Sequence, residues 1–146
     1  AGTGATNADV TLKAISDRAY VLETGTITLS GDAQELLSLA YYDGKIGTPE
    51  ELTVPFNDRV HFFGDGVYDA TVGANGKVYL MQNHLDRFYT SARALDIHIP
   101  MLKDELGRLL TDLLAKVDGQ RIFYWQVTRG IETRNHVYAE DLPGKL

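Results

Sequence analysis

Hydrophobic and polar positions along this chain change period several times, and each change marks an element. Ala19-Tyr-Val-Leu-Glu23 and Thr26-Ile-Thr-Leu29 read as two strands about a Thr24-Gly25 turn. Asp32 then stands where it can cap a short helix ending at Leu37, with Glu35 in the capping-box position. Tyr41 to Ile46 reads as a hairpin with Asp43-Gly44 at its turn, and Thr48 to Glu51 as a loop or one capped turn. Val67 to Gly73 and Lys77 to Met81 are expected as strands around Ala74-Asn75-Gly76. From Asn83 the period becomes helical, with Leu85, Phe88, Tyr89, Ala92 and Leu95 on one stripe as far as Ile99-Pro100. Leu106, Leu109, Leu110, Leu113, Leu114 and Val117 form a second helical stripe, closed by Asp118-Gly119. Ile122 to Val127 is apolar at successive positions and therefore reads as a central strand. Strands, two helices and a further strand make an α+β fold, an antiparallel sheet with two helices on one side. Its expected core is Phe88, Leu95, Leu109, Leu113, Phe123, Trp125 and Val127.

Composition changes this picture only by exclusion. Fourteen basic against 20 acidic residues leave a net charge of −6, which disfavours nucleic-acid and anionic-membrane partners. With no cysteine there is neither disulfide, thiol nucleophile nor thiolate metal site, and no histidine or carboxylate spacing suggests a metal. The sequence shows no apolar run long enough for a membrane helix and no secretory signal, so a cytoplasmic location is expected. No nucleophile stands beside a base, and none is assigned as catalytic.

The chain is organised around Phe63-Gly64-Asp65-Gly66-Val67-Tyr68-Asp69. Two glycines flank an aspartate and feed a strand. The pattern suits a bulge or corner, or a loop that offers the Tyr68 hydroxyl to a small ligand. Arg87 lies at the start of the first long helix, where an arginine suits a phosphate. It would equally suit a solvated residue paired with Asp86 or Asp96. Arg134 and His136 stand two apart after the last strand; an extended segment would place them on one face, ready to grip one carboxylate, and a plain polar loop would not. His61 and His98 read as surface or satisfied core groups.

Taken together, Tyr42-Asp43-Gly44, Asp58-Arg59, Phe63 to Tyr68, His84-Leu85-Asp86-Arg87, Gln126-Val127-Thr128-Arg129-Gly130 and Arg134-x-His136 resemble the small N-terminal domain of class IV, fold-type-IV pyridoxal-phosphate aminotransferases, across about residues 40 to 141. The Arg-x-His pair favours the D-amino-acid branch. The resemblance implies that Arg87 holds the phosphate of pyridoxal 5'-phosphate and that Tyr68, Arg134 and His136 trap the substrate α-carboxylate, the last two across the interface of a homodimer. It implies a transamination between a D-amino acid and a 2-oxo acid. Asp69 departs from the family's usual glutamate. The family's cofactor-bearing lysine and the acid that pairs the pyridine nitrogen belong to a second domain with no counterpart here, and Lys145 is no substitute. A truncated fragment that is inactive alone and does not bind the cofactor stably is therefore expected. Two alternatives are a non-catalytic chimeric or selected folding domain that self-associates, and another class IV member such as aminodeoxychorismate lyase or an R-amine transaminase. Residues 7 to 37 resemble, separately, the tail of amino-acid ABC transporter ATP-binding subunits, without that family's nucleotide-binding loop. This makes residues 1–39 an expected leader and 40–146 the expected small domain.

Overall fold

The structure is a computed structural model that describes residues 27–30 and 39–146. The expected strand at 19–23 and helix at 32–37 lie outside the described residues. In chain order the elements are β1 (Ile27–Ser30), β2 (Leu39–Tyr42), β3 (Lys45–Gly47), α1 (Val60–Phe63), β4 (Gly66–Ala74), β5 (Lys77–Val78), α2 (Met81–Ala94), α3 (Lys103–Leu114) and β6 (Arg121–Thr128). Six strands form one antiparallel sheet in the order β3-β2-β1-β6-β4-β5. β1, which falls within the expected leader, pairs with β2 on one side and β6 on the other.

Local chemistry explains most of the elements. Asp43 and Gly44 both take positive φ (47° and 88°), as the tight turn between β2 and β3 requires of its central pair. Thr48 N–H donates to the Glu51 carboxylate (2.9 Å), which closes the capped turn read from the sequence. At the start of α3, Glu105 reaches back to accept the Leu102 N–H at 2.8 Å.

β6 is the central strand, as its composition suggests. Phe123, Trp125 and Val127 alternate onto one face and are fully buried against Leu85, Phe88 and Ala92 of α2 and Leu106, Leu110, Leu113 and Leu114 of α3. Both helices therefore cover the same face. On the other face Ile122 and Tyr124 are half-buried, and the Tyr124 ring stacks on Tyr68 with centroids 5.3 Å apart.

Three expectations need correction. The strand after the second hairpin stops at Val78, and Met81 already belongs to α2. Leu95 is not core: it caps α2 and is 49% exposed. Asp96 takes a left-handed φ of 52°, Ile97 N–H bonds back to Ala92 and Asp96 N–H to Arg93, so Ile97 enters the core instead. The apolar stripe in the sequence thus runs one position past the point where the chain turns. Leu109 lies at the rim of the core, half-buried. Finally, the terminal residues contribute to the core: Leu146 is buried in it, Lys145 pairs with Thr128, and the Lys145 ammonium bonds Asp43 at 2.9 Å.

Candidate functional site

The glycine loop is a buried electrostatic knot. α1 ends at Gly64, whose φ of 62° closes the helix in the left-handed region. Asp65 follows and accepts from Arg59 Nε and Arg129 Nε, each at 2.9 Å. Both arginine side chains are buried. Arg59 also donates to Glu132 (3.0 Å) and the Asn135 carbonyl (2.8 Å). Arg129 donates to the carbonyls of Asp96 (2.9 Å) and Leu95 (2.7 Å), and its guanidinium lies 3.6 Å from the centroid of the Tyr138 ring. Burial alone would raise the Asp65 carboxyl; the bonds from Arg129 and Arg59 outweigh it and hold the group below the usual carboxylate range. Neighbouring Asp58 is fully buried and accepts from Thr128 Oγ1 (2.7 Å) and Val60 N–H (3.0 Å). Here burial prevails, and its pKa is raised. Burial, with Asp58 nearby, pushes the Tyr42 hydroxyl up to about 12.

Beyond this knot lies a second carboxylate. Asp69 pairs with Trp125 in the β4–β6 register, so its side chain shares the helix-covered face, where it is fully enclosed. It accepts from Arg87 Nε (2.8 Å), Arg87 Nη2 (2.5 Å), His84 Nδ1 (2.9 Å) and the Ala70 N–H (2.7 Å). Burial opposes ionisation of Asp69, but these bonds hold its pKa lower than usual. Arg87 itself is largely exposed, and its pKa is raised by Asp69 and to a smaller extent by Tyr68. Arg87 stands midway along α2, not at its start, and pairs with Asp69, not with Asp86 or Asp96; Asp86 pairs with Lys103 at 2.6 Å. Its Nη1 has no partner among the described residues.

Tyr68 projects from the opposite side of β4 and is 65% exposed. Arg134 and His136 occupy an exposed loop, not an extended strand, yet they converge. The Arg134 guanidinium lies 5.7 Å from the Phe63 ring, and the His136 ring is 5.4 Å from the same ring. The sequence-derived site residues thus fall into three places: Arg87 on Asp69 at the helix-covered face, Tyr68 on Tyr124 at the other face of β4, and the Arg134–His136 pair against Phe63. His61 and His98 are exposed. An open cleft of about 470 Å³ between α2 and α3, lined by Met81, Gln82, Gly107 and Arg108 among others, includes none of these four.

Sequence reasoning assigns no role to Asp58, Arg59, Asp65, Asp69, His84, Thr128 or Arg129. The signal is present as two arginines, one on each side of a lone acid set between glycines, but their pairing is long-range and a local pattern does not reveal it.

A profile of the amino-transferase class IV family matches residues 66–144. The chain belongs to that family. It is 44% identical over 96 residues to a D-alanine aminotransferase of Listeria monocytogenes serotype 1/2a, a match covering 64% of this chain and 33% of that protein. The chain thus spans about a third of the length of the curated relatives it matches. Among solved structures, the branched-chain amino acid aminotransferase of Escherichia coli matches with a TM-score of 0.66 and 14% identity, over 84% of this chain and 39% of that one. The branched-chain aminotransferase of the archaeon Thermoproteus uzoniensis, solved with norvaline, matches at 0.62 and 15%, over 83% and 39%. These likenesses bear out the α+β fold with its antiparallel sheet. The resemblance of residues 7–37 to ABC transporter subunits finds no support in them.

Proposed function

We propose that this chain supplies the cofactor-phosphate and substrate-carboxylate groups of a D-amino-acid:2-oxo-acid aminotransferase dependent on pyridoxal 5'-phosphate. One observation carries the reading. Arg87 is clamped along its Nε–Nη2 edge by a buried carboxylate, its side chain is 65% exposed, and its Nη1 has no partner among the described residues. A fixed guanidinium with one open donor edge fits a phosphate dianion. When bound, the cofactor supplies the electron sink for amino transfer. Arg87 would hold its phosphate, and Tyr68, Arg134 and His136 would hold the α-carboxylate. Because Arg134 and His136 lie on an exposed loop at Phe63, they are suited to serve the site of a partner subunit, which makes a homodimer the functional unit. The 44% identity to a D-alanine aminotransferase supports the D-amino-acid reading over the lyase, R-amine and non-catalytic alternatives. The division into a leader, 1–39, and a small domain, 40–146, and a cytoplasmic location belong to the same proposal.

The test is a graft. Residues 27–146, which keep β1 in the sheet and Leu146 in the core, replace the matching third of the Listeria D-alanine aminotransferase, and cofactor affinity is measured by equilibrium dialysis. Arg87→Ala in the graft should weaken pyridoxal 5'-phosphate binding by about 10- to 100-fold, the value of a charge-assisted pair. Unchanged affinity would remove Arg87 from the phosphate site.

A further inference from the structure

The buried Asp69 carboxylate serves two side chains. His84 and Arg87 lie three residues apart on α2, on one face of the helix, and both donate to it. Asp69 is ionised and accepts only, so the His84 bond to it needs a proton on Nδ1; the same Nδ1 lies 3.2 Å from Arg87 Nη2, so the ring stands against both members of the pair. The His84 ring is itself held: it is only 18% exposed and packs edge-on against the fully buried Trp125 at 6.3 Å. Three donors (Arg87 Nη2, His84 Nδ1 and the Ala70 N–H) converge on Oδ1, and Arg87 Nε alone takes Oδ2. A carboxylate on a β-strand could turn about its last torsion and offer Arg87 a single oxygen. Two donors from fixed positions, one a backbone N–H and one a ring packed on the core, pin Oδ1 and leave Oδ2 aimed at Arg87 Nε.

We propose that His84 is a positioning residue for Arg87: through its Nδ1–H it locks the Asp69 carboxylate in the pose that grips the guanidinium edge-on and keeps Nη1 outward. The anion affinity of Arg87 would then depend on a histidine that touches no ligand. This rests on the phosphate reading given above for what Arg87 binds, but the locking of Arg87 is measurable without any ligand.

The experiment uses the full chain labelled with ¹⁵N. The wild type should show His84 as the Nδ1–H tautomer and a slowly exchanging Arg87 Nε–H. In His84→Asn the side-chain amide can stand where Nδ1–H stood, so Arg87 Nε–H exchange should stay within about threefold of wild type. In His84→Leu it should quicken by about tenfold or more. Should His84→Leu not fold, judged by the indole N–H signal of the single tryptophan, His84→Gln replaces it. Its longer amide takes the Nε2 position and should quicken exchange as well. Exchange as slow as wild type in the folded Leu or Gln variant overturns the proposal, as does fast exchange in His84→Asn. Inorganic phosphate is then added to the wild type. An Arg87 signal that does not move with phosphate contradicts the phosphate reading and leaves the exchange result to decide the role of His84.

Discussion

Asp65→Asn should cost about 3–5 kcal/mol of unfolding free energy, the range for removing one partner of a buried ionic cluster. The carboxylate is shared by Arg59 and Arg129, both buried, and neither can lose its charge. Asparagine keeps the shape and one acceptor but leaves Arg129 without a counter-charge among the described residues and Arg59 with Glu132 alone. The loss should also change the acid limb of the stability curve. Asp65 and Asp69 have folded pKa values below their unfolded ones. Their contribution is therefore complete above the unfolded carboxylate value of about 4 and is lost as pH falls through the folded values. Asp58, with a raised folded pKa, acts in the opposite sense: its contribution is present below the unfolded value and is lost as pH rises through the folded one. Removing Asp65 should make the fall in stability below about pH 4 shallower. Urea unfolding at neutral pH and at about pH 3–4 checks both points. A loss under about 1 kcal/mol at neutral pH would show that the arginines are satisfied elsewhere.

Trp125→Ala should cost about as much, roughly 3–5 kcal/mol, for a different reason. Trp125 is fully buried at the centre of β6, and its ring meets Phe88 edge-on at 6.1 Å and His84 at 6.3 Å. Truncation opens a cavity between the sheet and α2, where surrounding side chains from two helices and a paired strand can collapse only in part. Urea unfolding followed by far-ultraviolet circular dichroism measures the loss. Because Trp125 also supports the His84 ring, the variant should weaken the Asp69 clamp on Arg87. A loss under about 1 kcal/mol would contradict the placement of β6 at the centre of the sheet.

The residues legible in advance are those whose environment is set by near neighbours. Helical spacing places Leu85, Phe88 and Ala92 on the core face of α2, the unbroken apolar run identifies β6, and Asp43-Gly44 announces its hairpin. Leu95 fails because a stripe has no end of its own: a left-handed residue at Asp96 ends the helix and turns Ile97 inward. α1, four residues long, is too short to show a period. At the site, the chemical types of Tyr68, Arg87, Arg134 and His136 are visible, and so is the match of their motifs to a family. Hidden is what holds them. The Asp65 bonds to Arg59 and Arg129 and the Asp69 bonds to Arg87 and His84 span 6 to 64 residues. The β4–β6 pairing brings Asp65 to Arg129, the short helix α1 folds Arg59 back onto Asp65, and the packing of α2 on β4 brings Arg87 and His84 to Asp69.

The proposed function is that this chain does, within a whole enzyme, what the matching third of a D-alanine aminotransferase does. The most direct measurement is the rate of amino transfer to a 2-oxo acid by the graft described above, with D-alanine and L-alanine as alternative donors. The account predicts turnover of D-alanine in clear preference to L-alanine, falling by about 10- to 100-fold in kcat/KM when Arg134 is replaced by alanine. A folded, cofactor-loaded graft that leaves D-alanine untouched, or that prefers L-alanine, would contradict it.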